Sequence, residues 1–285
     1  MLFRSLKRKM YISLNWINEL INLKNIKLED LINTLTLGGF EVEDILKINI
    51  LTNEDIILDI SSTPNRADSL SIKGISQELK SLLNENIKIN KYRRDSNLIQ
   101  QNSIKNSLKL NNCSNFIALT VENLTNHTVP QWIKNKLIAS QIQPLNNLLD
   151  FQTYLLLETG YPFEFYDLKK IREIIKNDDF NLLIKPAINN SLFFASNKIN
   201  YKLSSEILLV QANEYPLSIA GIIVNNDFSY NIDSTSLLIE LSIYNAKKIR
   251  QQSRILGLRT DRSAKYEKSL NSTDFLESKI GRAHV

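Results

Sequence analysis

The chain has 285 residues, 43% hydrophobic and 23% charged, which puts it in the globular range with room for one large or two ordinary domains. Only 7 Gly and 6 Pro exclude a low-complexity chain. The net charge of +5 comes entirely from Arg4, Lys7, Arg8, Lys9 and Arg282, so residues 10–279 balance to zero and any nucleic-acid reading must rest on local patches.

Asn, Ile, Lys and Leu are abundant, as in proteins of AT-rich genomes. Cys113 is the single cysteine, which excludes an internal disulfide and points to a reducing compartment. With His127 and His284 the only histidines, no zinc cage is expected. The longest apolar runs, such as 154–157 and 207–210, fall far short of the ~20 residues that span a membrane.

Residues 1–9 are basic without the apolar run of a signal peptide, and they read most simply as upstream sequence before a start at Met10, the alternative being a short transit peptide. Residues 10–84 then form a small α+β module. Ser13 is placed to cap a helix with Leu14, Ile17, Leu20 and Ile21 on its apolar side. A second helix carries Leu28, Leu31, Ile32 and Leu35, and Gly38-Gly39 stops it. Residues 40–45 alternate like a half-buried strand, and 55–60 form another. The turn 63–68 leads into a helix with Ile72, Ile75, Leu79 and Leu82 facing inward. There Asp68 is expected to cap the helix, and Arg66 to pair with a carboxylate at a domain contact. Asn65, Arg66 and Asp68 carry no catalytic assignment.

Residues 85–103, with Lys91-Tyr92-Arg93-Arg94, read as a solvated linker. A second domain over 104–279 follows, in which 116–124 is a strand. Pro130 starts a helix that packs Trp132, Ile133 and Leu137 inward. In 143–167 a proline-marked turn precedes a helix with Leu145, Leu148, Leu149, Gln152, Leu155 and Leu156 at helical spacing, and Gly160 ends it. Alternating segments come at 180–184, 192–195, 207–210, 219–224 and 237–241. A helix over 246–256 is stopped by Gly257, and another begins near Asp261. Strands and helices in no strict alternation predict an α+β domain around a mixed sheet.

The order of residues says more than the pattern. QPLNNLLDFQTYLLLETGYPFEFYD (143–167) resembles a signature of the editing-type B3/B4 domain in the bacterial phenylalanyl-tRNA synthetase β subunit. SLNWINELINL, LTLGGFEVEDI and NRADSLSIKGISQEL resemble motifs of that subunit's N-terminal module. Only residues 47–54 separate the strand of the GGFEVE motif from the strand that leads to the NRAD motif, where most bacterial members insert an OB-type tRNA-binding domain. That shorter form, with the AT-rich composition, resembles plastid-encoded members and implies the chloroplast stroma, the alternative being the cytoplasm of an AT-rich bacterium. The resemblance implies an (αβ)2 heterotetramer whose α subunit joins phenylalanine to its tRNA using ATP and Mg2+. This chain would be an N-terminal part holding neither cofactor and no catalytic or metal-binding residue. Residues 280–285 fit neither the family nor any period, and read as a sequencing-adaptor artefact.

LLIE (237–240) with GLRTDRS (257–263) resembles the family's pair of motifs around the pocket that hydrolyses tyrosine mischarged on the phenylalanine tRNA. Glu240, to bond the phenolic hydroxyl, and Thr260, to position water, match. Glu164 stands where the family has histidine, Arg262 where it has a small residue, and Val224-Asn225 where it has Gly-Gly. Bulk and charge there imply a retained fold with an impaired pocket. Residues 247–268 hold eight basic against two acidic side chains. Lys247, Lys248, Arg250 and Arg254 are expected to meet tRNA phosphates, with a solvated face or a partner-subunit contact left open. No Walker-type glycine loop and no Ser-His-Asp set is present. A free-standing hydrolase of mischarged tRNA and a non-enzymatic RNA-binding protein remain the alternative readings.

Overall fold

A computed structural model describes residues 10–62, 66, 71–83 and 112–270. They form two compact units, residues 10–83 with 128–160 and residues 112–127 with 161–270. The expectations for residues 1–9, Asn65, Asp68, the 85–103 linker and the tail 280–285 lie outside the described residues.

In the first unit, Ser13 ends strand β1 (Met10–Ser13) and caps helix α1 (Leu14–Leu20) as its type and place suggest. Its Oγ accepts the Trp16 N–H at 2.9 Å and donates to Asp55 Oδ2 at 2.6 Å. Helix α2 (Leu28–Leu37) buries Leu31 and Leu35 and stops at Gly38. Gly39, at φ +83°, takes the left-handed turn into strand β2 (Phe40–Ile50). Strand β3 (Asn53–Ser62) lies between β1 and β2, antiparallel to both. Helix α3 (Ile72–Leu83) buries Ile72, Ile75 and Leu79. Arg66 does find a carboxylate, Glu78 at 2.8 Å, and both residues belong to this unit.

Two helices read from the sequence as part of the second domain pack in this unit instead: α4 (Gln131–Ala139) and α5 (Leu148–Thr159). The cause is an aromatic cluster. Tyr154 stacks on Trp16 with centroids 5.5 Å apart, Trp132 meets Tyr154 edge-on at 5.2 Å, and Lys136 pairs with Glu19 at 2.5 Å. The face of α5 also differs from the leucine stripe. Leu145 is exposed and Leu148, Leu149 and Leu156 are half-buried, while Asp150, Tyr154, Leu155, Glu158 and Thr159 are buried. Asp150 belongs inside because its carboxylate accepts the Leu145 and Asn146 N–H groups, each at 2.8 Å. Asn147 accepts from Leu149, so polar side chains satisfy the orphan donors before and at the helix start.

The second unit holds the α+β architecture expected of its sequence, with antiparallel pairing in every described ladder where a mixed sheet was expected. Strand β12 (Leu237–Tyr244) is central, between β4 (Cys113–Val121) and β5 (Phe163–Asp167). A four-stranded sheet runs in the order β11-β10-β9-β6, from β6 (Leu182–Pro186), β9 (Leu208–Ala212), β10 (Tyr215–Ile219) and β11 (Ile223–Val224). β7 (Leu192–Phe194) and β8 (Asn200–Lys202) make a hairpin. Residues 219–224, expected as one strand, break at Gly221, which sits at φ +69°. A Cβ there would meet Ile249 Cδ1 at 2.8 Å, so only glycine lets β10 turn back beneath the helix that carries Ile249. Helices α6 (Leu168–Ile175), α7 (Ala246–Leu256) and α8 (Asp261–Tyr266) complete the unit.

Candidate functional site

Antiparallel register sets the chemistry of the second unit. Glu240 of β12 lies directly opposite Glu164 of β5. Like charges at directly opposed positions destabilise a sheet unless a cation comes between them. Arg262 is that cation. Its Nη1 donates to Glu164 Oε2 at 2.5 Å and its Nη2 to Glu240 Oε1 at 2.9 Å. The bridge is buried, with Arg262 8% and Glu240 1% exposed.

Local sequence explains how Arg262 arrives there. Gly257, at φ +60°, ends α7. Thr260 caps α8: its Oγ1 accepts the Ser263 N–H at 3.1 Å, and Ser263 Oγ reciprocates to the Thr260 N–H at 3.0 Å. Thr260 Oγ1 also donates to the Ile222 carbonyl at 2.9 Å, tying the start of α8 to the turn before β11. A cation in the first turn opposes the helix dipole, a cost of tenths of a kcal/mol that two carboxylates within hydrogen-bond distance outweigh.

Glu240 meets four donors. Its Oε1 accepts from Ser242 Oγ and Tyr244 Oη, both at 2.7 Å, as well as from Arg262, and its Oε2 accepts the Tyr166 hydroxyl at 2.5 Å. Three of the four donors crowd Oε1 and one meets Oε2, and the carboxylate is 1% exposed. Around them, Tyr166 Oη meets Ser218 Oγ at 2.8 Å and Tyr266 Oη meets Ser242 Oγ at 3.1 Å. Burial pulls the Arg262 guanidinium down in pKa, but Glu164 and Glu240 together outweigh it and hold the group well above its ordinary value. Burial first, then the Glu240 charge, raises the Tyr166 and Tyr244 hydroxyls, which therefore stay protonated as donors. The same two causes push the Cys113 thiol to about 12.

Three of the predicted site residues, Glu164, Glu240 and Arg262, thus make one buried constellation. Thr260 stands beside it as a helix cap. Val224 packs in the apolar cluster of Tyr166, Leu217 and Leu238, and Asn225 caps a 3-10 turn and donates to the Pro216 carbonyl. Sequence reading missed Tyr166, Ser242, Tyr244 and Tyr266. A signal was available: Glu240, Ser242 and Tyr244 recur at period 2 on one strand face, a polar row where a core-facing row was due.

The basic group divides. Lys247, Arg250 and Arg254 are exposed on one side of α7, with Lys248 half-buried beside them. Arg250 donates to the Glu267 carbonyl at 2.8 Å and Arg259 pairs with the Glu267 carboxylate at 2.9 Å, so part of the charge is spent internally. Lys247, Lys248 and Arg254 have no acidic partner among the described residues. Among those residues, too, no group of three or more His, Cys, Asp or Glu side chains is placed to hold a metal ion, and no helix is long and apolar enough to cross a membrane.

Comparison with known proteins gives a consistent result. Residues 112–279 match the B3/4 domain family. The chain is 56% identical over 273 residues to the chloroplastic phenylalanine–tRNA ligase β subunit of Phaeodactylum tricornutum, covering 94% of this chain and 38% of that one. It is 32% identical over 263 residues to the chloroplastic β subunit of Porphyra purpurea, covering 92% and 36%. The Prochlorococcus marinus β subunit is 31% identical over 242 residues, covering 80% and 28%. This chain therefore spans under two-fifths of the length of the curated relatives it matches. Among solved structures, an N-terminal fragment of the Pyrococcus horikoshii phenylalanyl-tRNA synthetase β subunit aligns over 82% of this chain and 68% of that one, with a TM-score of 0.43 and 16% identity.

Proposed function

The chain belongs to the B3/4 domain family, and from that premise we propose that it is part of a plastid phenylalanine–tRNA ligase β subunit whose editing pocket no longer admits a tyrosyl group. In this reading the complete enzyme is an (αβ)2 heterotetramer in the stroma. Its α subunit joins phenylalanine to tRNA with ATP and Mg2+, and this chain supplies subunit contacts, tRNA contacts and a vestigial proofreading domain. The identity to two chloroplastic β subunits supports the family and compartment.

One observation carries the loss of editing: the buried Arg262 guanidinium sits between Glu164 and Glu240 and donates to both. Glu240 is 1% exposed and already meets four donors, which leaves a phenolic hydroxyl no open approach to it, and Thr260 is engaged at a helix start. Incubating the purified chain with tyrosyl-tRNA(Phe) tests this. Hydrolysis at the buffer rate is expected, and clear turnover would overturn it. The exposed cations of α7 support a phosphate contact. Reversing Lys247 and Arg254 to Glu should then lower the salt slope of tRNA binding by about two, and an unchanged slope removes α7 from the interface.

A further inference from the structure

We propose that the first unit carries a binding site for a single unpaired nucleobase of an RNA, in the cleft lined by α1, the β2–β3 turn and α4. The cleft holds about 180 Å3 and is lined by Asn15, Asn53, Asp55, Trp132, Asn135 and Lys136, among others. That is below the ~300–1,000 Å3 of drug-sized sites, and suits one planar ring system.

Its lining includes an aromatic side chain, Trp132. Trp132 is 44% exposed, although tryptophan is on average highly buried, and Tyr154 braces it edge-on at 5.2 Å. A rigid, half-open indole is a stacking surface for any base. The polar lining mixes donors with acceptors. Asn53 makes no side-chain hydrogen bond among the described residues. Asn135 uses its Oδ1 on Gln131 at 2.9 Å, which leaves its amide NH2 to donate. Asp55 accepts from Ser13 Oγ at 2.6 Å and the Asn15 N–H at 3.2 Å, one bond to each carboxylate oxygen, so each keeps a lone pair.

Amide donors, carboxylate acceptors and a π-face together match the edge and plane of a heterocyclic base. A cationic side chain from a protein partner fits less well. It would leave the amide donors unused and would face the Lys136 ammonium, which is fixed to Glu19 at 2.5 Å and lies 5.2 Å from the Trp132 ring centroid. This site stands apart from the second-unit constellation and does not depend on whether editing is lost.

Trp16 and Trp132 are the only tryptophans in the chain and both line the cleft, so intrinsic fluorescence reports on it directly. The full chain is titrated with each of the four nucleoside monophosphates, with ribose 5-phosphate and with N-acetyl-argininamide, correcting for absorbance. Saturable quenching by at least one nucleoside monophosphate is expected, with none from the other two probes. Affinity should fall at least about fivefold in Trp132→Ala and return in Trp132→Phe, with Trp16 as the remaining reporter. Circular dichroism of both variants confirms that the fold is kept. Quenching by argininamide alone would assign the cleft to a protein cation, and equal quenching by ribose 5-phosphate to a phosphate. Either result, or no saturable change with any probe, overturns the proposal.

Discussion

Removing the Arg262 side chain is the most informative perturbation of the second unit. Glu164 and Glu240 face each other across neighbouring strands, and Arg262→Ala strips the cation from between them. Breaking one partner from a buried ion pair costs about 3–5 kcal/mol, because charge is left in a medium that solvates it poorly. Tryptophan fluorescence cannot read this loss, since both tryptophans lie in the first unit. Hydrogen exchange of the β12 amides can. If exchange follows opening of this unit, that cost appears as about a hundred- to several-thousand-fold faster exchange over Leu237–Tyr244. Adding Glu164→Leu removes one of the two carboxylates and leaves Glu240 with its three hydroxyl donors, so the double variant should recover at least about 1 kcal/mol of the loss. Costs that simply add, or an Arg262→Ala chain within about 1 kcal/mol of the parent, would refute the coupling.

Three further outcomes are expected. Gly221→Ala should cost about 2–4 kcal/mol, because φ is +69° and a Cβ meets Ile249, Tyr244 and Tyr266 at 2.8–3.1 Å, whereas Gly257→Ala, with open space around it, costs only the left-handed strain of about 1–2 kcal/mol; chemical denaturation followed by circular dichroism separates them. Cys113, raised from an ordinary 9.0 to about 12, has about a thousandfold less thiolate at a given pH, so iodoacetamide should label the folded chain at least about a hundredfold more slowly than the unfolded chain. Burial raises the Asp55 carboxyl, so the folded state holds that proton more tightly than the unfolded state; stability of the first unit should therefore fall as pH rises from about 4 through the raised pKa and then level off. Asp55→Asn abolishes that decline, read as urea midpoints by tryptophan fluorescence, and parallel pH profiles for the two chains would contradict the assignment.

Local chemistry was legible in the residues themselves. Ser13 as a cap, Gly38-Gly39, Gly160 and Gly257 as stops, and the helix over 246–256 all follow from preferences acting within one turn. What could not be read depended on partners far along the chain. Whether Leu149 or Asp150 faces inward on α5 is decided by a carboxylate clasp on two backbone N–H groups, which a count of apolar spacing misses. The allegiance of α4 and α5 to the first unit rests on Trp16 meeting Tyr154, 138 positions later. At the candidate site, family resemblance supplied Glu164, Glu240 and Arg262 as separate departures or matches. Only strand register showed that two of them are opposed carboxylates for which the third is the counter-charge. Val224, expected to fill the same pocket, packs in the apolar cluster that includes Tyr166.

The proposal that no tyrosyl group enters beside Glu240 is most directly tested by an NMR titration of the isotopically labelled chain with tyrosinamide, following the backbone amides of Glu164, Glu240 and Thr260. With the carboxylate buried and the guanidinium in place, those amides should stay unmoved to the solubility limit of the ligand. Saturable shifts confined to them would mean that a tyrosine-sized space remains open beside Thr260.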